Sequence, residues 1–360
     1  MESETRVLHV INSMNLGGAE TLIMDYFRRM PPNIRFDFLV HVLDKMYYEE
    51  EIGALGGRVH RMDKLQTQGI PAYFKCLRTF FATEGYHIVH SHLETTTGLI
   101  LAAAKSAGVP VRIAQSHNTR YTRKGIKALP ENTVKKTLRL LINPAATIKL
   151  APNAASAKWL YGHAAYTLFP NTIDTAKFAF SAEARTALRE KFGIGSSCKV
   201  FLNIARFSPQ KNHAFLLETW RQYTFSHPED MLFLAGAGEL IEKMKALKVP
   251  NAVFLGLQSD IPALLSMADV FLLPSLFEGF PVSLAEAAAA GLPCLISDTI
   301  DGGSLPCRKL PLVYDAWFTA MAERNPVSVA ERENAALKTA EQGYDISYSV
   351  SKLKEIYAQA

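Results

Sequence analysis

The sequence predicts an α/β protein made of two doubly wound parallel-sheet domains. Three observations predict it. Short apolar runs of strand type alternate with stretches of helical length, the rhythm of parallel strands joined by crossover helices. That rhythm weakens over residues 151–185 and then restarts. The 360 residues also exceed the roughly 100–200 of one compact domain.

The elements follow in order. Val7–Ile11 is a β run, and Ala19–Met30 reads as a helix. Phe36–Leu43 is a second strand and Ala72–Thr83 a helix. Ile88–Ser91 is a buried strand, Gly98–Ser106 an Ala/Leu-rich helix and Val111–Ala114 a strand. The second series begins with strand Lys199–Ala205 and helix His213–Phe225. Met231–Ala235, Val253–Leu255, Val270–Leu273 and Cys294–Ser297 continue as strands. Glu239–Leu247, Ile261–Met267 and Val282–Ala290 are the helices between them. Breakers at Pro170-Asn171-Thr172 and Gly193–Ser197 place the hinge near 170–195. Val350, Leu353, Ile356 and Tyr357 lie at helical spacing, so Ser347–Ala360 is an amphipathic terminal helix. The domains expected are 1–180 and 181–345, followed by the helix 346–360.

Composition narrows the class. Hydrophobic residues make up 48% and charged residues 20%, enough to build cores and to exclude a mainly disordered chain. No apolar run approaches the roughly 18 residues of a membrane span. The acidic start Met1–Arg6 lacks the basic flank of a signal peptide. Cys76, Cys198, Cys294 and Cys307 form no C-x-x-C pair, so neither a disulfide framework nor a zinc cluster is expected. A reducing cytoplasm fits.

The net charge of +5 is uneven. Residues 1–170 hold 21 Lys and Arg against 13 Asp and Glu, whereas the rest of the chain is net acidic. Arg112, Arg120, Arg123, Lys124, Lys127, Lys135, Lys136, Arg139 and Lys149 lie within 112–149, with Glu131 the one acid among them. Nucleic acid is a poor partner, because only Tyr121 interleaves with these charges. An anionic membrane face and a merely solvated helix face both fit.

Three loops carry chemistry. Gly17 and Gly18 lie between the first strand and the first helix, where bare backbone and a helix N-terminus suit an anion or a plain turn. The segment is not G-x-G-x-x-G, so it lacks the dinucleotide fingerprint. Arg206 and Lys211 follow the strand ending at Ala205, at the carboxyl edge where open sheets bind ligands, and could bracket a diphosphate. Glu278, Gly279, Phe280, Pro281 and Val282 follow Leu272-Leu273-Pro274-Ser275 and open onto a helix carrying Glu286. A carboxylate in that Ala-rich helix needs a polar partner, which a ribose diol would supply. His117 ends a strand at the sheet mouth. His90 and His92 share a strand face near Glu94, but too few ligands cluster for a metal. Gly236-Ala237-Gly238 lacks a third glycine and reads as a strand-to-helix turn.

On these motifs the chain resembles the retaining glycosyltransferases of family 4, which have the GT-B fold. The resemblance rests on Glu278-x7-Glu286 with its Gly279-Phe280-Pro281 loop, on Arg206-x4-Lys211, on Gly17-Gly18-Ala19-Glu20, and on the interdomain segment Phe169–Asp174. It covers nearly the whole chain. It implies two Rossmann-like domains facing across a cleft, the C-terminal one for the nucleotide sugar and the N-terminal one for the acceptor. Arg206 and Lys211 would hold the diphosphate, and Glu286 the ribose. Glu278 would meet the sugar near the reacting carbon. Phe280 and Val282 amides would support sugar and phosphate, and the loop containing Leu257 would take the base. Gly17 and Gly18 would close over the donor, and His117 would lie near the transferred sugar. The final helix would cross back to the N-terminal domain. No metal or other cofactor is implied. Ile300–Pro306 lacks the glutamate of many members and resembles the capsular and exopolysaccharide branch.

The expected activity is retaining hexosyl transfer from a nucleoside diphosphate sugar, UDP first and GDP-mannose second. The expected acceptor is lipid-linked or a saccharide, with the protein cytoplasmic and peripheral on the inner membrane face. A sugar-nucleotide epimerase and a non-enzymatic basic binding protein are the alternatives.

Overall fold

The computed structural model describes residues 4–119, 129–323 and 327–358. The chain forms two compact units. One contains the residues up to Asn171 and those from Ile346, and the other is Thr172–Asp345.

The first unit carries strands β1 (Thr5–Val10), β2 (Ile34–Val40), β3 (Val59–Arg61), β4 (Ile88–Ser91), β5 (Val111–Gln115), β6 (Ile148–Ala151) and β7 (Thr167–Leu168). They form one sheet in the order β3-β2-β1-β4-β5-β6-β7, every pairing parallel. The strands are apolar on both faces because helices cover both. In β1, Val7 packs with Phe36, Phe38 and Ile88 on one side. Leu8 and Val10 pack with Leu39, Val89 and Ala114 on the other.

The second unit repeats the plan with β8 (Val200–Ile204), β9 (Met231–Ala235), β10 (Ala252–Gly256), β11 (Val270–Leu273), β12 (Cys294–Ser297) and β13 (Arg308–Leu310). Their order is β10-β9-β8-β11-β12-β13, again parallel. Val200 and Leu202 face one layer with Phe271 and Leu273, and Phe201 faces the other with Leu232 and Leu272.

Both sheets reverse direction once. The first runs outward from the β1/β4 pair, and the second from the β8/β11 pair. At such a switch point the loops leaving adjacent strands turn to opposite sides and open a crevice at the carboxyl ends. Apart from the loop after the edge strand β10, the candidate loops emerge at or beside one of these two places.

The chain passes between units at Asn171/Thr172, nine residues before the expected limit of 180. Ile173 and Phe178 already belong to a core of the second unit. Ile173 also pairs with Asp345 in an isolated parallel bridge, and the Thr175 hydroxyl donates to the Asp345 carboxylate at 2.7 Å. The weak rhythm over 151–185 hides helix Ala154–Tyr161, the short β7 and helix Ala182–Lys191.

Helix Ile346–Tyr357 returns to the first unit. Ile346, Val350, Leu353 and Tyr357 form its buried stripe and pack with Tyr26, Phe27, Phe36 and Phe38. The Tyr357 ring meets Phe36 edge-on at 5.9 Å between centroids. Leu353→Ala should lower stability by about 2–5 kcal/mol, the usual cost of a buried leucine. Lys354→Ala, on the exposed side of the helix, should change it by less than about 0.5 kcal/mol. Urea unfolding of the two variants checks the difference.

Candidate active site

The second-unit site is built from two loops, one after β8 and one after β11. Beyond β8, Ala205 and Phe207 are buried while Arg206 between them is exposed. The backbone there is tightly tied. The Phe207 amide donates to the Ala237 carbonyl at 2.9 Å, and the Leu240 amide donates to the Phe207 carbonyl at 3.0 Å. A Cβ at Gly236 would lie 2.1 Å from the Ala205 carbonyl oxygen, and one at Gly238 would lie 2.5 Å from that of Phe207. Both glycines also have φ in the positive region that L side chains rarely adopt. The Gly236-Ala237-Gly238 turn is thus a clamp on the Arg206 loop.

After a short turn, Pro209–Lys211, the loop is stitched to the one that follows β11. The Leu276 amide donates to the Gln210 carbonyl at 2.8 Å. The Gln210 side-chain amide donates to the Phe277 carbonyl at 2.8 Å and to Glu278 Oε2 at 3.1 Å. Lys211 Nζ donates to Glu278 Oε1 at 2.6 Å, with 18% and 8% of the two side chains exposed. A pair so enclosed survives only because each charge compensates the other. The Arg206 guanidinium makes no hydrogen bond among the described residues, so it is the cation left for an incoming anion.

Past Glu278, helix Val282–Ala289 begins at Pro281 with no side-chain cap. Its first-turn N–H groups and positive dipole end are therefore open to an anion at the carboxyl edge of the sheet. Glu286 lies one turn into this helix and is half-buried. Phe280 is buried, and its ring stacks on Tyr344 at 5.3 Å and 11°. Tyr344 Oη accepts from the Ser304 amide at 3.1 Å, and a Cβ at Gly303 would lie 2.1 Å from that oxygen. The Gly302-Gly303-Ser304 stretch thus supports the Phe280 loop from behind. The Ser275 hydroxyl, which sequence reasoning did not single out, is buried just beyond β11 without a hydrogen-bond partner among the described residues. Leu257, 61% exposed, stands just beyond β10.

In the first unit, Gly17 and Gly18 open helix Gly18–Phe27 after β1, again without a side-chain cap. Gly17 is extended, and a Cβ at Gly18 would meet nothing within 4 Å. Packing within the described residues does not demand glycine at position 18.

His117 follows β5, where burial pushes its pKa down to about 4. Its amide donates to Glu94 Oε1 at 2.8 Å. Glu94 has a left-handed φ of 50° and is pushed up to about 8, because burial removes the hydration of its carboxylate. His9, His90 and His92 gather beside it, with ring nitrogens within 4.8 Å of one another. His9 is therefore a further neighbour for the His90/His92 pair that sequence reasoning missed. Its signal lay in strand pairing, since His9 stands opposite His90 in register.

The comparisons identify what this architecture belongs to. Residues 184–304, spanning both second-unit loops, match the family of glycosyl transferases group 1. The putative glycosyltransferase EpsF of Bacillus subtilis is 34% identical, with 99% of this chain and 97% of that protein aligned. This chain belongs to the group 1 glycosyltransferases. The UDP-Gal:alpha-D-GlcNAc-diphosphoundecaprenol alpha-1,3-galactosyltransferase of Escherichia coli is 28% identical over 82% of this chain and 80% of its own length. The crystal structure of Anabaena HepE in complex with UDP superposes with a TM-score of 0.76 at 16% identity, covering 99% of this chain and 100% of that one. The fold is GT-B, two Rossmann-like domains.

In this glycosyltransferase, Arg206, Lys211, Leu257, Gly279, Phe280, Pro281, Val282, Glu278 and Glu286 all lie in the second unit, and Gly17, Gly18 and His117 in the first. Parts of the basic segment are committed internally. Arg112 Nε donates to the Ala145 carbonyl, and Arg139 Nη1 donates to that of Trp159. These two side chains thus anchor neighbouring loops while keeping their positive charge. Lys136 is exposed on helix Leu129–Leu140. Arg120, Arg123, Lys124 and Lys127 lie outside the described residues. Among the described residues, no helix is long and apolar enough to cross a membrane.

The histidine cluster sets a pH signature. Burial lowers His9 to about 3 and His117 to about 4, and holds His90 and His92 well below the ordinary value of 6.5. Below about pH 6.5 the unfolded chain binds protons at these four positions that the native chain refuses. Glu94 acts oppositely, since its raised pKa stabilises the fold at low pH and that contribution fades as pH rises toward 8. The net difference grows from about one proton at pH 6.5 toward about three near pH 5, so the loss of stability steepens toward acid. Stability should peak near neutrality and fall steeply between pH 6.5 and 5, as read by urea midpoints across that range. A flat profile would contradict the burial of this cluster.

Proposed function

We propose that the protein is a retaining hexosyltransferase. It moves a sugar from a nucleoside diphosphate donor, UDP first, to a lipid-linked saccharide in cell-surface polysaccharide synthesis. The observation that carries this reading is the unpartnered, exposed Arg206 beside the Lys211–Glu278 pair, at the switch point of the second sheet. An open helix N-terminus lies on the next loop. The relatives support the donor and acceptor classes. The Escherichia coli relative is named for UDP-Gal and a diphosphoundecaprenol-linked acceptor, and the HepE structures hold UDP and UDP-glucose.

In this reading Arg206 binds the diphosphate with its planar fork, and Lys211 adds a point charge as the leaving group gains charge. The first-turn amides at Val282 and the Phe280 amide hold phosphate and sugar. Glu286 accepts the ribose hydroxyls, and the loop at Leu257 takes the base. Two cations and a helix dipole do the work that a divalent metal does elsewhere, so no metal enters the reaction. Glu278 already accepts from Lys211 and Gln210. That makes it a group that orients the sugar rather than a free nucleophile. Transfer with retention then follows a front-face path, in which the departing phosphate oxygen takes the acceptor proton. The family resemblance assigns acceptor binding to the first unit and recognition of the transferred sugar to His117. The protein works on the cytoplasmic face of the membrane.

The donor site is tested by thermal protection with UDP, GDP and ADP in the presence of a chelator. Ligand at 100 times its Kd adds about 2.7 kcal/mol, a shift of roughly a few degrees. UDP should protect the wild type and not Arg206→Ala, whose fold should be intact because the guanidinium is exposed and unbonded. Glu278→Gln should cut transfer on the order of 10²–10³-fold. Protection by none of the three would overturn the donor site, and conversion of the donor without acceptor would favour an epimerase.

Membrane binding has its own test. Exposed Lys136 lies near Val134 and Leu140, which are 41% and 70% exposed. Each nearby basic residue adds about 1 kcal/mol on an anionic surface. Lys136→Gln combined with Arg123→Gln, Lys124→Gln and Lys127→Gln should abolish co-sedimentation with phosphatidylglycerol vesicles, as should raised salt. Unchanged sedimentation would remove the membrane from the account.

A further inference from the structure

We propose that His9 and His92 are positioning residues, which fix the tautomer and ring plane of His117 through a directed chain of imidazole hydrogen bonds. The proposal deepens the functional reading above, since it rests on His117 meeting the transferred sugar. His9 Nδ1 and His92 Nε2 are 3.0 Å apart, and His92 Nδ1 and His117 Nε2 are also 3.0 Å apart. The His9 and His92 rings stack at 5.3 Å and 6°. Both residues are buried.

A neutral imidazole has one donor nitrogen and one acceptor nitrogen. Burial keeps all three rings neutral near pH 7. The chain therefore has only two arrangements, and the state of one end dictates the other. If protons ran from His117 toward His9, His9 would bury an N–H at Nε2, an atom with no partner among the described residues. Orphaned buried N–H groups are rarer than orphaned acceptors. The other arrangement leaves only a lone pair at His9 Nε2. In it His9 Nδ1–H donates to His92, His92 Nδ1–H donates to His117 Nε2, and His117 carries its proton on Nδ1. His117 then offers a donor to a sugar oxygen rather than an acceptor to a sugar hydroxyl.

The surroundings hold this chain in place. The His117 amide is bound to Glu94, which fixes its backbone. His90 Nδ1 lies 2.9 Å from Tyr357 Oη, so His90 is engaged by the terminal helix and stands beside the chain without entering it. The trio His9, His90 and His92 has the composition of a metal site. However, both nitrogens of His92 are already engaged, and the two remaining rings are fewer than the three protein ligands of a zinc centre.

Selective ¹⁵N-histidine labelling reads the tautomer directly, with His117 assigned by loss of its signals in His117→Gln. The wild type should show a single Nδ1–H tautomer at His117. His92→Phe keeps the ring volume and removes both nitrogens, so His117 should become a tautomer mixture. His92→Asn places an amide near the lost Nδ1 and should restore part of the preference. With the sugar nucleotide that protection selects, His92→Phe should lower kcat on the order of 10–10²-fold, as misplacement of a reacting group does, with KM for the donor within about twofold. His92→Asn should recover part of that loss.

A single unchanged His117 tautomer in His92→Phe would overturn the proposal. So would unchanged turnover in His92→Phe when His117→Ala is inactive. Stoichiometric Zn²⁺ binding that is lost in His92→Phe would overturn it as well, in favour of a metal site. A tautomer change in His92→Phe combined with full turnover in His117→Ala would instead overturn the role of His117 in transfer. That outcome separates failure of the functional reading from failure of the chain.

Discussion

Each half of this protein depends on one topological constraint: a parallel sheet that grows outward in both directions from a central pair of strands. Parallel strands need crossovers, and crossovers that leave a central pair in opposite directions cannot cover its carboxyl edge. Between β1 and β4, and between β8 and β11, the chain therefore presents loops and helix N-termini in place of packed helix faces. The buried strands on both sides are rigid. What they hold at their ends is placed by the backbone and not by flexible surface segments.

The two switch points handle charge in opposite ways. At β8/β11 the charge is kept and compensated, with Lys211 and Glu278 nearly buried against each other and Arg206 left exposed. That arrangement suits a dianionic leaving group, because a preformed cation needs no reorganisation when charge develops. At β1/β4 the charge is suppressed. Four histidines and Glu94 are held toward their neutral forms by burial. Neutral imidazoles can only orient and share protons, which suits recognition of hydroxyls better than recognition of phosphates.

Much of this was legible in the sequence, and the reason is locality. Arg206, Lys211, Glu278, Gly279 and Pro281 each lie within a few residues of an apolar strand that declares itself by composition. The two-sheet architecture was legible for the same reason. The rest depended on contacts distant in sequence. His9 joins His90 and His92 only through the register of β1 on β4, and Tyr357 arrives from 267 residues away to meet His90. The boundary at Asn171 was misplaced because Thr172–Phe180 has little secondary structure, and only its packing shows which core owns it. Gly303 was read as a departure from a family pattern. Its reason is steric, since a side chain there would collide with Tyr344. Arg112 looked like free surface charge, yet its guanidinium caps carbonyls at the base of β5.

The central claim is that the second unit holds a nucleoside diphosphate on the loops that follow β8 and β11. A crystal structure of the full chain grown with UDP and a chelator tests it most directly. The account predicts the diphosphate within hydrogen-bond distance of the Arg206 guanidinium and the Val282 amide, with the ribose on Glu286. UDP bound away from these loops, with Arg206 still unliganded, would contradict it.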